Sequence, residues 1–189
     1  MQSIQAKWDK VYSQRSSEPN AALVLQENSY LLPQQGVALD LACGQGGNAL
    51  LLAECGLDVH AWDASPVAIE QLQVAADLKG LSINAKVRNV IKQPPAANSV
   101  DVLVVSFFLD RALCPALLAA IKPGGLLFYQ TYCQQKVVQQ GPTNPEYLLM
   151  DNELLQLFSP MKVRVYRENA LLGKHDQGLR NQAILVAEK

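Results

Sequence analysis

The residues best suited to chemistry lie in one stretch. Ala38, Leu39, Asp40, Leu41, Ala42 and Cys43 run directly into Gly44, Gln45, Gly46, Gly47 and Asn48. An apolar strand that turns sharply through glycines into a helix lets backbone approach a ligand closely and aims amide N–H groups at it. Gly44, Gly46 and Ala49 also satisfy the G-x-G-x-x-A form of the dinucleotide fingerprint, which is weak when it stands alone. Its setting adds weight. Asp63 follows Gly44 by 19 positions, at the expected end of the next strand, where a carboxylate can accept both hydroxyl hydrogens of a ribose.

The ligand that fits is decided by the charge of Asp40, ahead of the glycines. A nicotinamide cofactor would bring a diphosphate to this loop, and a neighbouring carboxylate would repel it. S-adenosylmethionine brings an α-ammonium and a sulfonium instead. Asp40 can receive the ammonium, directly or through water, while loop amides receive the carboxylate. The plainer alternative is that Asp40 only serves the amides of its own turn.

The elements around this loop alternate strand and helix, the pattern of an α/β domain with a parallel sheet. Ile4, Trp8, Val11 and Tyr12 stand at helical spacing, and a second helix is expected over 20–32. Strands are expected at 37–41, 58–63, 82–88, 100–108, 126–132, 163–167 and 183–188. Ser65 and Pro66 suit an N-cap and a first helical position, and Gly80 suits the left-handed stop of that helix. Another helix begins near Pro115 and ends at Lys122-Pro-Gly-Gly125, and Asp151 is expected to cap a last one through Phe158. Residues 133–150 show no period, and irregular stretches of this length usually serve function.

Several of these segments resemble the class I S-adenosylmethionine-dependent methyltransferases. Residues 39–48 look like that family's first motif, usually D-L-G-C-G-x-G, with Ala42 in place of the common glycine. Val59-His-Ala-Trp-Asp63 resembles its acidic second strand, and residues 122–132 its K-P-G-G turn and fifth strand. Trp8-Asp-Lys-Val-Tyr12 and residues 141–149 are similar to a small bacterial branch that includes tellurite-resistance-type enzymes. The resemblance implies a Rossmann-like three-layer sandwich with a seven-stranded, mostly parallel sheet, order 3-2-1-4-5-7-6 and strand 7 antiparallel. It implies S-adenosylmethionine as cofactor and S-adenosylhomocysteine as product, held by Asp40, Ala42, Cys43, Gly44, Gly46, Asn48, Asp63, Ala64, Asn89, Val90 and Ser106. Asn89 stands where the family often has an acid that meets the adenine amino group.

Methyl transfer needs nucleophile and methyl held in line, and a base only where the acceptor is protonated. No compelling base stands out. His60 lies inside a strand, and His175 in the polar stretch 173–178 suits either a lid or a solvated loop. Substrate-side candidates are Phe107, Arg111 and Tyr132, because open α/β sheets bind ligands beyond strand ends. Phe107 and Phe108 suit cavity lining and core packing equally, and Arg111 can orient an anion or simply pair with Asp110. Trp8 and Tyr12 either cover the cofactor or form a packing stripe.

Composition sets the outer limits. The 189 residues, 49% hydrophobic and 17% charged with a net charge of −1, suit one folded domain, with 1–35 as an N-terminal helical cap and 133–150 as a substrate lid. The charge argues against nucleic acid and anionic lipid as partners, and the first twelve residues do not read as a secretory signal. No apolar run approaches the ~20 residues of a membrane span. Cysteines 43, 55, 114 and 133 lack metal-ligand spacing, and reduced thiols fit a cytoplasmic setting. The expectation is a cytoplasmic methyltransferase with a small-molecule acceptor and no metal. Alternatives are an NAD-dependent oxidoreductase and a non-catalytic S-adenosylmethionine-binding regulatory module.

Overall fold

Continuous apolar runs in the central strands dictate a sheet with a core on each face. In a computed structural model, which describes residues 4–15 and 18–189, seven strands form one sheet of order β3-β2-β1-β4-β5-β7-β6. These are β1 (Val37–Leu41), β2 (Asp58–Asp63), β3 (Ile83–Val87), β4 (Val100–Ser106), β5 (Ile121–Tyr132), β6 (Lys162–Glu168) and β7 (Gln182–Glu188). The first five pair in parallel, while β7 runs antiparallel to both β5 and β6. The central strand β4 shows why: Val102 and Val104 face a core with Leu52, Leu72 and Phe128, and Leu103 and Val105 face one with Leu117, Tyr129 and Phe158. A strand buried on both faces reads as a continuous apolar run.

Six helices cover the sheet among the described residues: α1 (Ile4–Ser13), α2 (Leu23–Asn28), α3 (Gly47–Glu54), α4 (Pro66–Lys79), α5 (Cys114–Ala120) and α6 (Glu153–Leu157). Helix α4 begins and ends as its sequence requires. Ser65 Oγ accepts from the Ala68 amide, Pro66 opens the helix, and Gly80 closes it at φ 66°. Residues 1–3, 16 and 17 of the expected N-terminal cap lie outside the described residues.

Four boundaries differ from expectation, each for a local reason. The second helix is confined to α2 and a 3-10 turn, Ser29–Leu31. Strand β4 stops at Ser106 because Phe107 takes a left-handed φ of 55°. Strand β5 starts at Ile121, before the Pro-Gly-Gly turn, with an irregularity opposite Val100 and Val102. Asn152, left-handed at φ 59°, precedes α6 in place of an Asp151 cap, and the Asp151 carboxylate accepts from Gln135 instead.

Strand order places the C-terminal ends of β1, β2, β4 and β5 side by side. That edge is where open α/β sheets hold ligands. No described helix is long and apolar enough to cross a membrane.

Candidate cofactor site and its acceptor side

The loop after β1 is built on left-handed turns. Ala42, Gly44 and Gly46 take φ values of 56°, 54° and 80°, conformations costly for side chains with a Cβ. Gly46 is also the N-cap of α3. A Cβ there would lie 2.2 Å from Leu72 Cδ1, and one on Gly47 would lie 2.2 Å from the Asn20 carbonyl oxygen. The glycines thus let the loop turn and let α3 pack against both neighbours.

Asp63 ends β2 and braces this loop. One carboxylate oxygen accepts from the Gly44 amide at 2.9 Å and the other from the Ser65 amide at 2.9 Å. Burial pushes its pKa upward against these amide hydrogen bonds. Asp40 is fully buried. Its oxygens accept from Asn48 Nδ2 at 3.2 Å and the Ala49 amide at 3.1 Å. Burial raises its pKa to about 7, more than those two hydrogen bonds lower it, and the charge of Asp63 adds to the rise. Asn48 is the hub: it also donates to Ser106 Oγ at 2.9 Å and accepts from the Ala22 amide at 2.8 Å. One side chain therefore joins the ends of β1 and β4 to the segment before α2.

Helix α1 crosses this loop, a covering that the helical spacing of Trp8 and Tyr12 left open. Trp8 and Tyr12 stack with ring centroids 5.7 Å apart, and a Cβ on Gly44 would stand 2.8 Å from the Tyr12 hydroxyl. Asp9 accepts from Ser65 Oγ, and Gln71 donates to the Tyr12 carbonyl at 3.2 Å, so α1 is fastened to the start of α4. Burial, with the nearby charge of Asp63, pushes the Tyr12 phenol well above its usual range.

The remaining residues on the cofactor side fall into two groups. Cys43 is buried beside the loop and Val90 packs among core residues, while Ala64 follows Asp63 directly. Asn89 uses its side-chain oxygen on the Ile91 and Lys92 amides, both at 3.1 Å. Arg88, expected only as the end of the third strand, shapes the same loop. Its guanidinium lies 3.8 Å from the Trp62 ring centroid and donates to the Gln93 and Pro94 carbonyls. An Arg directly after a strand that carries an aromatic neighbour was the available signal.

At the ends of β4 and β5, where substrate-side residues were expected, Phe107 and Tyr132 meet with ring centroids 5.2 Å apart. Tyr132 also lies against Gly141, where a Cβ would stand 2.7 Å from the ring, and Lys136 Nζ lies 5.7 Å from its centroid. Phe108 packs against the core instead, and Tyr129 donates to its carbonyl. Arg111 pairs with Glu153 rather than Asp110, whose carboxylate accepts from the Leu113 amide. His60 sits within β2, and His175 is exposed with its ring nitrogen 2.9 Å from the Leu171 carbonyl. Among the described residues no group of His, Cys, Asp and Glu could hold a metal, and all four cysteines are free thiols.

This architecture can be set against known proteins. Residues 38–125, β1 through the glycine turn of β5, match the family model described as a methyltransferase domain. That match spans just under half of the chain, and those residues are similar to a methyltransferase domain. The sheet order and antiparallel β7 agree with that likeness.

Three relatives illustrate the range. TehB of Haemophilus influenzae, named a probable S-adenosyl-L-methionine-dependent methyltransferase, is 27% identical over 137 residues, 69% of this chain and 48% of that protein. Its crystal structure superposes with a TM-score of 0.71 at 21% identity, covering 97% of this chain and 67% of that one. Hemagglutinin 1 of Eikenella corrodens is 37% identical over 145 residues, 69% of this chain and 45% of that protein. The tRNA 5-carboxymethoxyuridine methyltransferase of Escherichia coli is 27% identical over 134 residues, 65% and 51% of the two chains. The chain spans about half the length of these curated relatives.

The cofactor of such domains is S-adenosylmethionine, with S-adenosylhomocysteine as product, and the residues present fit it. The missing Cβ at Gly44 leaves room for the Tyr12 hydroxyl, so the left-handed loop and α1 meet closely where the amino-acid end would lie. The buried charges bordering the loop are the carboxylates of Asp40 and Asp63, which favour a cationic ligand over a diphosphate.

Proposed function

We propose that the chain transfers a methyl group from S-adenosylmethionine to a small-molecule acceptor placed between the glycine loop and the Phe107–Tyr132 pair. The observation that carries this reading is the placement of two buried carboxylates beneath a left-handed glycine loop, at the strand edge that also carries the aromatic pair. The sulfonium supplies an activated methyl and a neutral leaving group. The protein's task is then to hold, orient and dry the reactants, and such positioning contributes ~7–11 kcal/mol.

Each residue's task follows from its place. Gly44 and Gly46 let the loop backbone approach the amino-acid end, and Tyr12 closes over it. Asp40 lies sealed behind Asn48, so it acts on an ammonium through its field or through Asn48. Asp63 holds the loop with one lone pair on each oxygen, and the others remain available for ribose hydroxyls. Asn89 meets the adenine edge through its amide nitrogen, since its oxygen serves the turn. Ser106 fixes the end of β4 against Asn48.

Neither member of the Phe107–Tyr132 pair takes a proton at neutral pH. Burial pushes the Tyr132 phenol upward and the nearby Arg15 charge only partly offsets it, so the phenol donates rather than accepts at neutral pH. The acceptor therefore arrives with its own lone pair available. The small-molecule assignment rests on the aromatic pair at the strand ends and the net charge of −1, which provides no broad cationic surface for nucleic acid. The same charge and the free thiols fit a cytoplasmic protein.

Thermal denaturation with separate ligands tests the reading. At 100 times its dissociation constant a ligand adds ~2.7 kcal/mol, which is about 5–10 °C for this size. S-adenosylmethionine and S-adenosylhomocysteine raise the midpoint and NAD does not. A shift with NAD alone contradicts the reading. Labelled S-adenosylmethionine with metalloid, thiol, amine and hydroxyl acceptors then identifies the class methylated, and tRNA as the methylated species overturns the small-molecule assignment.

A further inference from the structure

Arg111 stands in the 3-10 turn that follows β4, four residues after Phe107. Its Nε and Nη2 donate to the two Glu153 oxygens at 2.6 and 2.8 Å. Nη1 donates to the Glu146 carbonyl at 2.6 Å, and Nη2 also to the Leu148 carbonyl at 2.9 Å. Glu153 is buried, and its Oε2 accepts from the Met150 amide at 2.8 Å. One guanidinium thus gathers the backbone on either side of Leu149. That residue is in turn joined to the end of β5: its amide donates to the Tyr132 carbonyl at 2.9 Å, and its carbonyl accepts from Gln134 at 2.9 Å.

A planar fork of donors can serve a carboxylate and two carbonyls at once, which the point charge of a lysine cannot. The hydrogen bonds are spent inside the protein, on the segment that walls the acceptor side. We propose that Arg111 is a positioning residue: it latches residues 146–153 across the ends of β4 and β5 and so fixes the Phe107–Tyr132 pair. The inference rests on the acceptor site proposed above, and it changes Arg111 from a substrate-side candidate into a latch that leaves the acceptor untouched.

The test uses the full chain as wild type, Arg111→Lys, Arg111→Gln and Glu153→Gln, each with S-adenosylhomocysteine. Amide hydrogen exchange over residues 134–150 is expected to accelerate about tenfold or more in all three variants, because each loosens the partly buried pair that holds this segment. Exchange in β1, β2 and β4 stays unchanged, as does the midpoint shift given by S-adenosylhomocysteine. With the acceptor found by the panel, KM for the acceptor rises about tenfold while KM for S-adenosylmethionine holds, the signature of a local misplacement.

Unchanged exchange at 134–150 in Arg111→Gln overturns the latch. Equal acceleration throughout the sheet overturns it too, since Arg111 would then serve the fold at large. Accelerated exchange with an unaltered acceptor KM overturns the positioning role. Failure of S-adenosylhomocysteine to shift even the wild type counts instead against the underlying site, and the exchange comparison without ligand still decides the latch.

Discussion

At the residue scale, the telling contrast is between the two aspartates of the glycine loop. Both were prominent in the sequence, but their contacts were not, because hydrogen-bond partners depend on how strands and turns close in space. Asp40 is sealed by Asn48 and Ala49, and Asp63 spends one lone pair of each oxygen on backbone amides. Burial holds the Asp40 carboxyl at about 7, so the sign of its pH effect can be worked out. Below its ordinary carboxylate value it is protonated in both folded and unfolded chains. Between that value and about 7 only the unfolded chain ionises, and raising the pH through this window weakens the fold. A cationic ligand favours the ionised form and reverses the preference. Calorimetric titration should show affinity for S-adenosylhomocysteine increasing from pH 6 to pH 8 by up to about tenfold, with Asp40→Asn flattening the profile. A flat profile in the wild type would separate Asp40 from the ligand. Asn89 teaches a related lesson: its position after β3 was legible, whereas the commitment of its oxygen to two turn amides was not.

At the scale of elements, strands and glycine turns were readable because their periodicity and backbone demands are local. Helix α4 begins at a serine cap and stops at a left-handed glycine, as those residue types prescribe. Boundaries set by tertiary contact were less readable. Phe107 is an aromatic residue at φ 55° and is 45% exposed, and no local propensity favours that conformation. Such strain costs of order 1–3 kcal/mol and persists where surrounding structure holds it. Asparagine tolerates left-handed backbone far better. Phe107→Asn is therefore expected to lower stability by only about 1 kcal/mol or less, where losing a buried aromatic costs ~3–5 kcal/mol. Methyl transfer should fall at least about tenfold. Denaturant melts alongside transfer assays check both halves. A large stability loss with transfer intact would make Phe107 a packing residue. The irregular stretch 133–150 was recognisable as irregular, but its fastening by Arg111 and Asn181 joins residues too distant in sequence to be paired by pattern.

Across the whole molecule, the sheet order brings the ends of β1, β2, β4 and β5 to a single edge; α1 packs on the loop after β1, and residues 133–150 are joined to the end of β5. The alternation of strand-like and helix-like segments indicated the α/β class, and the resemblance supplied the strand order, since an antiparallel seventh strand leaves no mark in local spacing. The proposed reading divides the labour: acidic groups beneath the glycine loop serve the cofactor, and the aromatic pair serves the acceptor. A crystal structure of the chain with S-adenosylhomocysteine bound tests that arrangement most directly. The account predicts the ribose hydroxyls within hydrogen-bond distance of Asp63, the amino-acid end on the loop of Gly44 and Gly46, and the sulfur facing Phe107 and Tyr132. The nucleoside bound at any other edge of the sheet, or its sulfur turned away from that pair, would contradict it.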